Sequence, residues 1–458
     1  MVDFEKIVDS FKKGTFETDF KEMVLIQNKI GGVRFEGKGY VRQSENRLLN
    51  FRLYASKQET IQASYSAHEN QDSTPGKLIL EDRYYDLILV GYDDTRWKAH
   101  HVFPNIDLNL SDNDILVSGK LDNLSMDMPY NYPESYLKIH FFSCYEIPLN
   151  RMTTTEIQGN KNMVLDTAEF EASEANFKVR SYDDDTIFEV RSQVSFPEAF
   201  HLRVQEALQY LTGKSVNWQA YIKVEKNNFC MELSIPFQKS ICTYFEPPII
   251  GGSKVFYENG WRLFACFLAY VIEKTEKTQW NPVAYHLHNA CESTANSIDS
   301  RAISYSVAVE AIASLIIIEQ NTDKTNHVRE FQKNMRKYIK TQTAFSDLES
   351  RMKTLIDMLG QARVQDKLHF LADNGHVERA YIKDWTNLRN RHAHPTLKDL
   401  KKIDATNAQE LITSLHRVSV LLHQITFYLI GYNGPFTDYG VIKFPTKQYP
   451  LTVAANPP

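Results

Sequence analysis

The chain has 458 residues, 43% hydrophobic and 24% charged, with a formal net charge of -5. These values are ordinary for globular domains, exclude disorder, collagen and coiled coil as whole-chain descriptions, and suggest about two to four domains. The negative balance also excludes a polycation, so any nucleic-acid surface must be a local patch.

The first residues, MVDFEKIVDSFKKGTFETDF, lack the apolar stretch of a signal peptide. Apolar runs such as Leu315-Ile316-Ile317-Ile318 are far shorter than the ~18 residues of a membrane span. Cysteines stand at 144, 230, 242, 266 and 291, an odd number without a CxxC pair, which argues against a disulfide scaffold. The expectation is a cytoplasmic protein that does not engage a membrane.

Up to about Phe245 the pattern is short and alternating. Val24-Leu25-Ile26, Gly37-Lys38-Gly39-Tyr40-Val41, Leu48 to Tyr54, Leu87 to Val90 and Tyr136 to Phe142 read as strands, punctuated by Gly, Asn, Asp and Pro. Such a series predicts a sandwich-like region, either a β-sandwich or a strongly bent sheet. One helix interrupts it, with Pro197 in the first turn and Phe200, Val204, Leu208 and Leu211 at helical spacing before Gly213. Strands follow at 218–224 and 229–235. His100-His101 and Asp183-Asp184-Asp185 read as loop residues. The aromatics Tyr84, Tyr85, Trp97 and Tyr130 suit strand core or a binding surface.

Pro247-Pro248-Ile249-Ile250-Gly251-Gly252 is the clearest break. From Pro282 the chain reads as helical, with helices starting at 282 and covering about 302–319, 326–340, 347–359, 361–371, 376–394 and 406–430. The expected organisation is α+β: a β-rich region over 1–246, with a subdomain break considered near 180, a connecting segment over 247–281, an all-α bundle over 282–430 and an extended tail over 431–458. Between 301 and 430, about 19 lysines and arginines face about 14 acidic residues, so the bundle is mildly basic and the rest acidic. That tilt fits ordinary surface variation or an anionic ligand of the bundle.

The segment that carries chemistry is Trp385-Thr386-Asn387-Leu388-Arg389-Asn390-Arg391-His392-Ala393-His394-Pro395. It closes a helix whose apolar stripe is Val377, Tyr381, Trp385 and Leu388. Pro395 disfavours helical geometry at His394 and so ends the helix there. Cations are favoured at this end by the helix dipole, and a histidine there is biased towards its protonated form, which suits a general acid.

Arg389, Asn390 and His394, with four residues between arginine and histidine, resemble the motif of HEPN-domain ribonucleases. The upstream helix with Glu310 in the run Ser306-Val307-Ala308-Val309-Glu310-Ala311-Ile312 is similar to the Leu-Glu-x-Leu type of helix of these domains. The layout, a long β-rich region before such a bundle, together with Val33-Arg34-Phe35-Glu36-Gly37-Lys38-Gly39-Tyr40, resembles the ApeA family of bacterial anti-phage proteins. The resemblance implies a HEPN helical bundle and metal-independent cleavage of cellular RNA, tRNA among the candidates, without a cofactor. It implies a homodimer or higher oligomer that pairs two motifs around one cleft, and activation on infection, with a phage protein as the candidate signal. The β-rich region would sense, restrain or recruit.

The chemistry needs these residue types. RNA carries its own nucleophile, the 2′-hydroxyl; a histidine moves protons, and an arginine offers a fixed donor fork to phosphate oxygens. Arg389, His394 and Asn390 are therefore the catalytic candidates, with Arg391, His392 and Glu310 supporting or binding substrate. Each also suits a structural role. Arg389 fits a surface cation or the partner of an acid, and His394 a helix cap. Asn390 is common near helix ends, and Arg391 suits contact with an acid. His392 continues the apolar stripe, and Glu310 reads as a buried acid needing Arg389 or Arg391. His286, His288 and Cys291 lack a fourth ligand and zinc spacing, so no metal is expected. The rival readings are a non-catalytic HEPN module that binds nucleotides or a partner protein, and a sugar- or peptide-binding sandwich with a helical dimerisation domain.

Overall fold

Alternating apolar residues turn the first half of the chain into strands. A computed structural model describes residues 3–56, 78–107, 114–157, 160–182, 184–235, 243–276, 279–318, 322–341, 348–359, 362–393 and 405–452. Two units are present, residues 1–205 with 216–240, and residues 206–215 with 241–458. The first is a large antiparallel β-sheet region and the second is mainly α-helical.

In the first unit, helix α1 (Phe4–Lys13) precedes β1 (Glu17–Gln27), β2 (Arg34–Gln43), β3 (Leu49–Ser56), β4 (Tyr85–Gly91) and β5 (Arg96–Val102). Then come β6 (Asn105–Asp107), β7 (Asp114–Leu121), β8 (Asn123–Pro129), β9 (Ser135–Phe141) and β10 (Arg151–Ile157). β11 (Asn160–Ala172), β12 (Ala175–Tyr182), β13 (Asp185–Ser192), β14 (Ala220–Glu225) and β15 (Asn228–Ser234) complete it. Hydrogen bonds join them in one 15-stranded order, β10-β11-β12-β13-β9-β14-β15-β8-β5-β4-β1-β2-β3-β7-β6. Four strands separate β5 from β7 in that order, yet the two meet, so this stretch curls back on itself. The expected β-rich region is thus one large antiparallel sheet. Gly37 and Gly39 lie in the β2–β3 ladder where the backbone of β3 comes close: a Cβ would sit 1.9 Å from the Tyr54 carbonyl oxygen and 1.8 Å from that of Arg52.

Along β4 every second residue, Tyr85, Leu87 and Leu89, is buried, the period-2 burial of a strand with one face in the core. Val8 and Phe11 of α1 join the same core as Phe51, Trp97 and Met231. Residue 180, considered as a subdomain break, lies inside the β12–β13 ladder, which closes at Tyr182 opposite Asp185. His100 and His101, expected in a loop, belong to β5 and stand 3.0 Å from Asp86 and Glu81.

Helix α2 (Phe200–Thr212) carries the unit boundary between Gln205 and Glu206. The helical unit continues with α3 (Lys254–Lys274), α4 (Pro282–Ser293), α5 (Ile298–Ser314), α6 (Thr322–Thr341) and α7 (Glu349–Met358). α8 (Val364–Asp373), α9 (Arg379–Ala393), α10 (Ala405–Ile430) and the hairpin β16 (Gly434–Thr437) with β17 (Thr446–Tyr449) follow. α5 is central, packing on α4, α8, α9 and α10, while α10 also packs on α3 and α9.

Two expectations change here. The segment 247–281 is largely α3, capped by the Ser253 side chain accepting from the Phe256 amide and burying Leu263, Phe264, Phe267 and Leu268. The tail is an anchored hairpin. Asp438 is fully buried and accepts from the Tyr381 hydroxyl (2.8 and 2.9 Å), the Gly440 amide (2.9 Å) and the Lys447 ammonium (2.8 Å). A buried carboxylate persists only with such partners. Among the described residues no helix is long and apolar enough to cross a membrane.

Candidate functional site at the end of helix α9

Helix α9 buries the stripe Tyr381, Trp385 and Leu388, preceded by buried Val377. This seats it beside α5, where the Trp385 indole donates to the Ser306 carbonyl at 3.2 Å. One turn further along both helices, Arg389 meets Glu310: Nε donates to Oε2 at 3.2 Å and Nη2 to Oε1 at 2.9 Å. Both contacts advance by four residues on each helix, so the pair runs parallel and both C-terminal ends lie at the site. Those ends favour a cation, and Arg389 supplies it.

Glu310, expected to be a buried acid, keeps 40% of its side chain exposed, and Arg389 keeps 37%. The pair is a partly solvated bidentate clamp. It occupies two of the five guanidinium N–H donors, and the other three have no partner among the described residues. Of the two arginines that could have served Glu310, Arg389 is the partner. Asn390 is exposed and Arg391 half-buried. The side chain of His392 and the whole of His394 lie outside the described residues.

On the outer side of α9 a groove of about 480 Å³ lies against α8, lined by Gln365, His369, Arg379, Lys383, Thr386 and Asn387. Asn387 and Asn390 share a helix face by their spacing, so the groove leads towards the motif. Its lining offers cations and amide donors to an anionic ligand, although Arg379 is already paired with Asp373.

A second polar cluster had no signal in the sequence. Glu246 is buried and binds the Arg301 guanidinium, the Tyr305 hydroxyl donates to it at 3.2 Å, and His416 Nε2 lies 3.5 Å away. Burial lowers the pKa of His416 despite the nearby carboxylate. Glu246, α5 and α10 contribute to the cluster from three separate segments, so only the fold assembles it. The buried, mutually satisfied partners give the cluster the character of a structural tie.

His286, His288 and Cys291 do not converge as ligands. His288 Nδ1 lies 2.9 Å from Gln209 Oε1, the Cys291 thiol donates to the Gly213 carbonyl at 3.5 Å, and burial pushes that thiol up to about 11. Among the described residues no group of three or more His, Cys, Asp or Glu could hold a metal ion.

Compared with known proteins, the chain matches no family model, no curated protein and no solved structure.

Proposed function

We propose that the helical unit is a HEPN-type bundle acting as a metal-independent endoribonuclease in anti-phage defence, with cellular RNA such as tRNA as substrate. The observation that carries the reading is Arg389, held at the end of α9 by two hydrogen bonds to Glu310 that fix its guanidinium plane. In this mechanism His394 takes the proton of the ribose 2′-hydroxyl or gives one to the leaving 5′-oxygen. Arg389 holds the phosphate oxygens as negative charge grows. Asn390 adds an amide contact from the exposed side of the helix end, with Arg391 and His392 as substrate contacts. The bond to the 5′-oxygen breaks as the 2′-oxygen bonds to phosphorus, which leaves a 2′,3′-cyclic phosphate and a 5′-hydroxyl.

A two-fold pair of chains would place two motifs around one cleft, and the β-rich unit would receive a phage protein as the activating signal. The test is incubation of the full chain with total RNA, comparing the parent with Arg389→Ala and His394→Ala. A second reading has its own support. Arg389 is neutralised by Glu310, as a purely structural tie between α5 and α9 would be, which suits a non-catalytic binding module. That module would bind RNA or a partner without cutting.

A further inference from the structure

The sheet unit holds an open cleft of about 490 Å³ that the ribonuclease reading does not use. Its floor follows from strand register. Arg191 of β13 stands opposite Tyr136 of β9, Tyr136 opposite Val224 of β14, and Val224 opposite Phe229 of β15. One row along the same face, Glu189, Lys138 and Ile222 are aligned in the same way. The cleft therefore has an aromatic and aliphatic floor, with Arg191, Lys138 and the Glu189 carboxylate at one side.

Two further elements wall it. The segment after β8 brings Tyr130 and Tyr132, whose rings are near-parallel at 23° with centroids 6.4 Å apart. The start of α1 brings Phe4, stacked on Phe229 at 4.1 Å. Tyr130 remains 43% exposed although apolar partners surround it. The charges are unequal in their freedom. Lys138 is paired with Glu5 at 2.6 Å, and Asp3 caps α1 through the Lys6 amide. Arg191 is exposed, lies over the Tyr136 ring at 5.7 Å and has no carboxylate partner among the described residues.

A surface of this kind stacks a planar group on its tyrosines and meets one anionic group with an unpaired guanidinium. The volume is that of a small-molecule site. With Lys138 neutralised, the cleft suits one net negative group better than a long polyanion. We propose that this cleft binds a nucleotide, its base against Tyr130, Tyr132 and Tyr136 and its phosphate at Arg191. The site is separate from the α9 motif and does not depend on the ribonuclease reading.

The experiment is calorimetric titration of the full chain with AMP, GMP, CMP and UMP, with the matching nucleosides and inorganic phosphate as controls. At least one nucleotide binds the parent more tightly than its nucleoside. Tyr132→Ala weakens that binding by about 5- to 150-fold, the range of one lost base stack. Arg191→Met lowers nucleotide affinity to that of the nucleoside and leaves the nucleoside unchanged; Arg191→Lys recovers part of it. Loss of the nucleotide binding in Arg389→Ala with Tyr132→Ala and Arg191→Met unaffected would place the nucleotide at α9 and overturn the proposal. Should Tyr132→Ala melt below the parent without ligand, Tyr130→Ala at the exposed wall takes its place. The proposal is overturned if no nucleotide binds at millimolar concentration, or if the tyrosine and Arg191 variants bind like the parent. Tighter binding of a neutral oligosaccharide, with Arg191→Met unaffected, overturns it equally.

Discussion

Arg389 and Glu310 are joined by two hydrogen bonds, 2.9 and 3.2 Å, across the ends of two parallel helices. Because both side chains are more than a third exposed, the pair contributes little to stability, about 0–1 kcal/mol. Its geometry matters more. A lysine at 389 would keep the charge but lose the planar fork.

Glu310→Gln should therefore shift the urea unfolding free energy by less than about 1 kcal/mol while lowering RNA cleavage, because Arg389 loses its orientation. Arg389→Lys should likewise fold and cleave poorly. A Glu310→Gln protein that cuts RNA at the parental rate would show that the clamp is a structural tie only.

The Glu246 cluster predicts the opposite balance. Arg301→Met leaves a carboxylate that is only 7% exposed without its main cation, and the expected loss is about 3–5 kcal/mol. Arg301→Met combined with Glu246→Gln should regain part of it, since no charge is then stranded. Chemical denaturation of both variants reads the difference.

Acid sensitivity follows from two buried imidazoles. Burial lowers the pKa of His140 to about 3 and of His423 to about 4. The unfolded chain titrates near ~6.5, so below that pH the unfolded state binds protons that the folded state refuses. The stability from neutral burial is complete above that pH and is lost as the pH falls towards 3–4. At about pH 5 each site should cost about 2 kcal/mol. His140→Leu should flatten the fall in urea midpoint between about pH 7 and 5; an unchanged slope would remove His140 from the account.

The product chemistry gives a further expectation. Cleavage should survive EDTA and leave a 2′,3′-cyclic phosphate, because the candidate groups move protons and stabilise charge themselves. Activity lost in EDTA and restored by added metal would replace this mechanism with a metal-assisted one.

Local signals in the sequence carried much of the fold. Alternation marked β4, Pro282 marked the first turn of α4, and the spacing of Tyr381, Trp385 and Leu388 gave the buried face of α9. Signals that are not local were invisible. The strand order places β14 and β15 between β9 and β8, which no local pattern encodes. The segment Pro247 to Gly252 reads as a linker, and that hid α3 behind it. Glu246 draws its partners from 55, 59 and 170 positions away, so its role emerges only in three dimensions. At the candidate site, Glu310 stood out as an acid in an apolar run, and geometry then chose Arg389 over Arg391 as its partner.

The most direct measurement is cleavage of total RNA by the purified full chain, with Arg389→Ala and His394→Ala beside it. The ribonuclease account predicts cutting by the parent and a loss of about 100-fold or more in each variant, the scale of a removed acid–base or charge-stabilising group, with both variants folded. A parent that binds RNA without cutting it, or either folded variant cutting as fast as the parent, would contradict it.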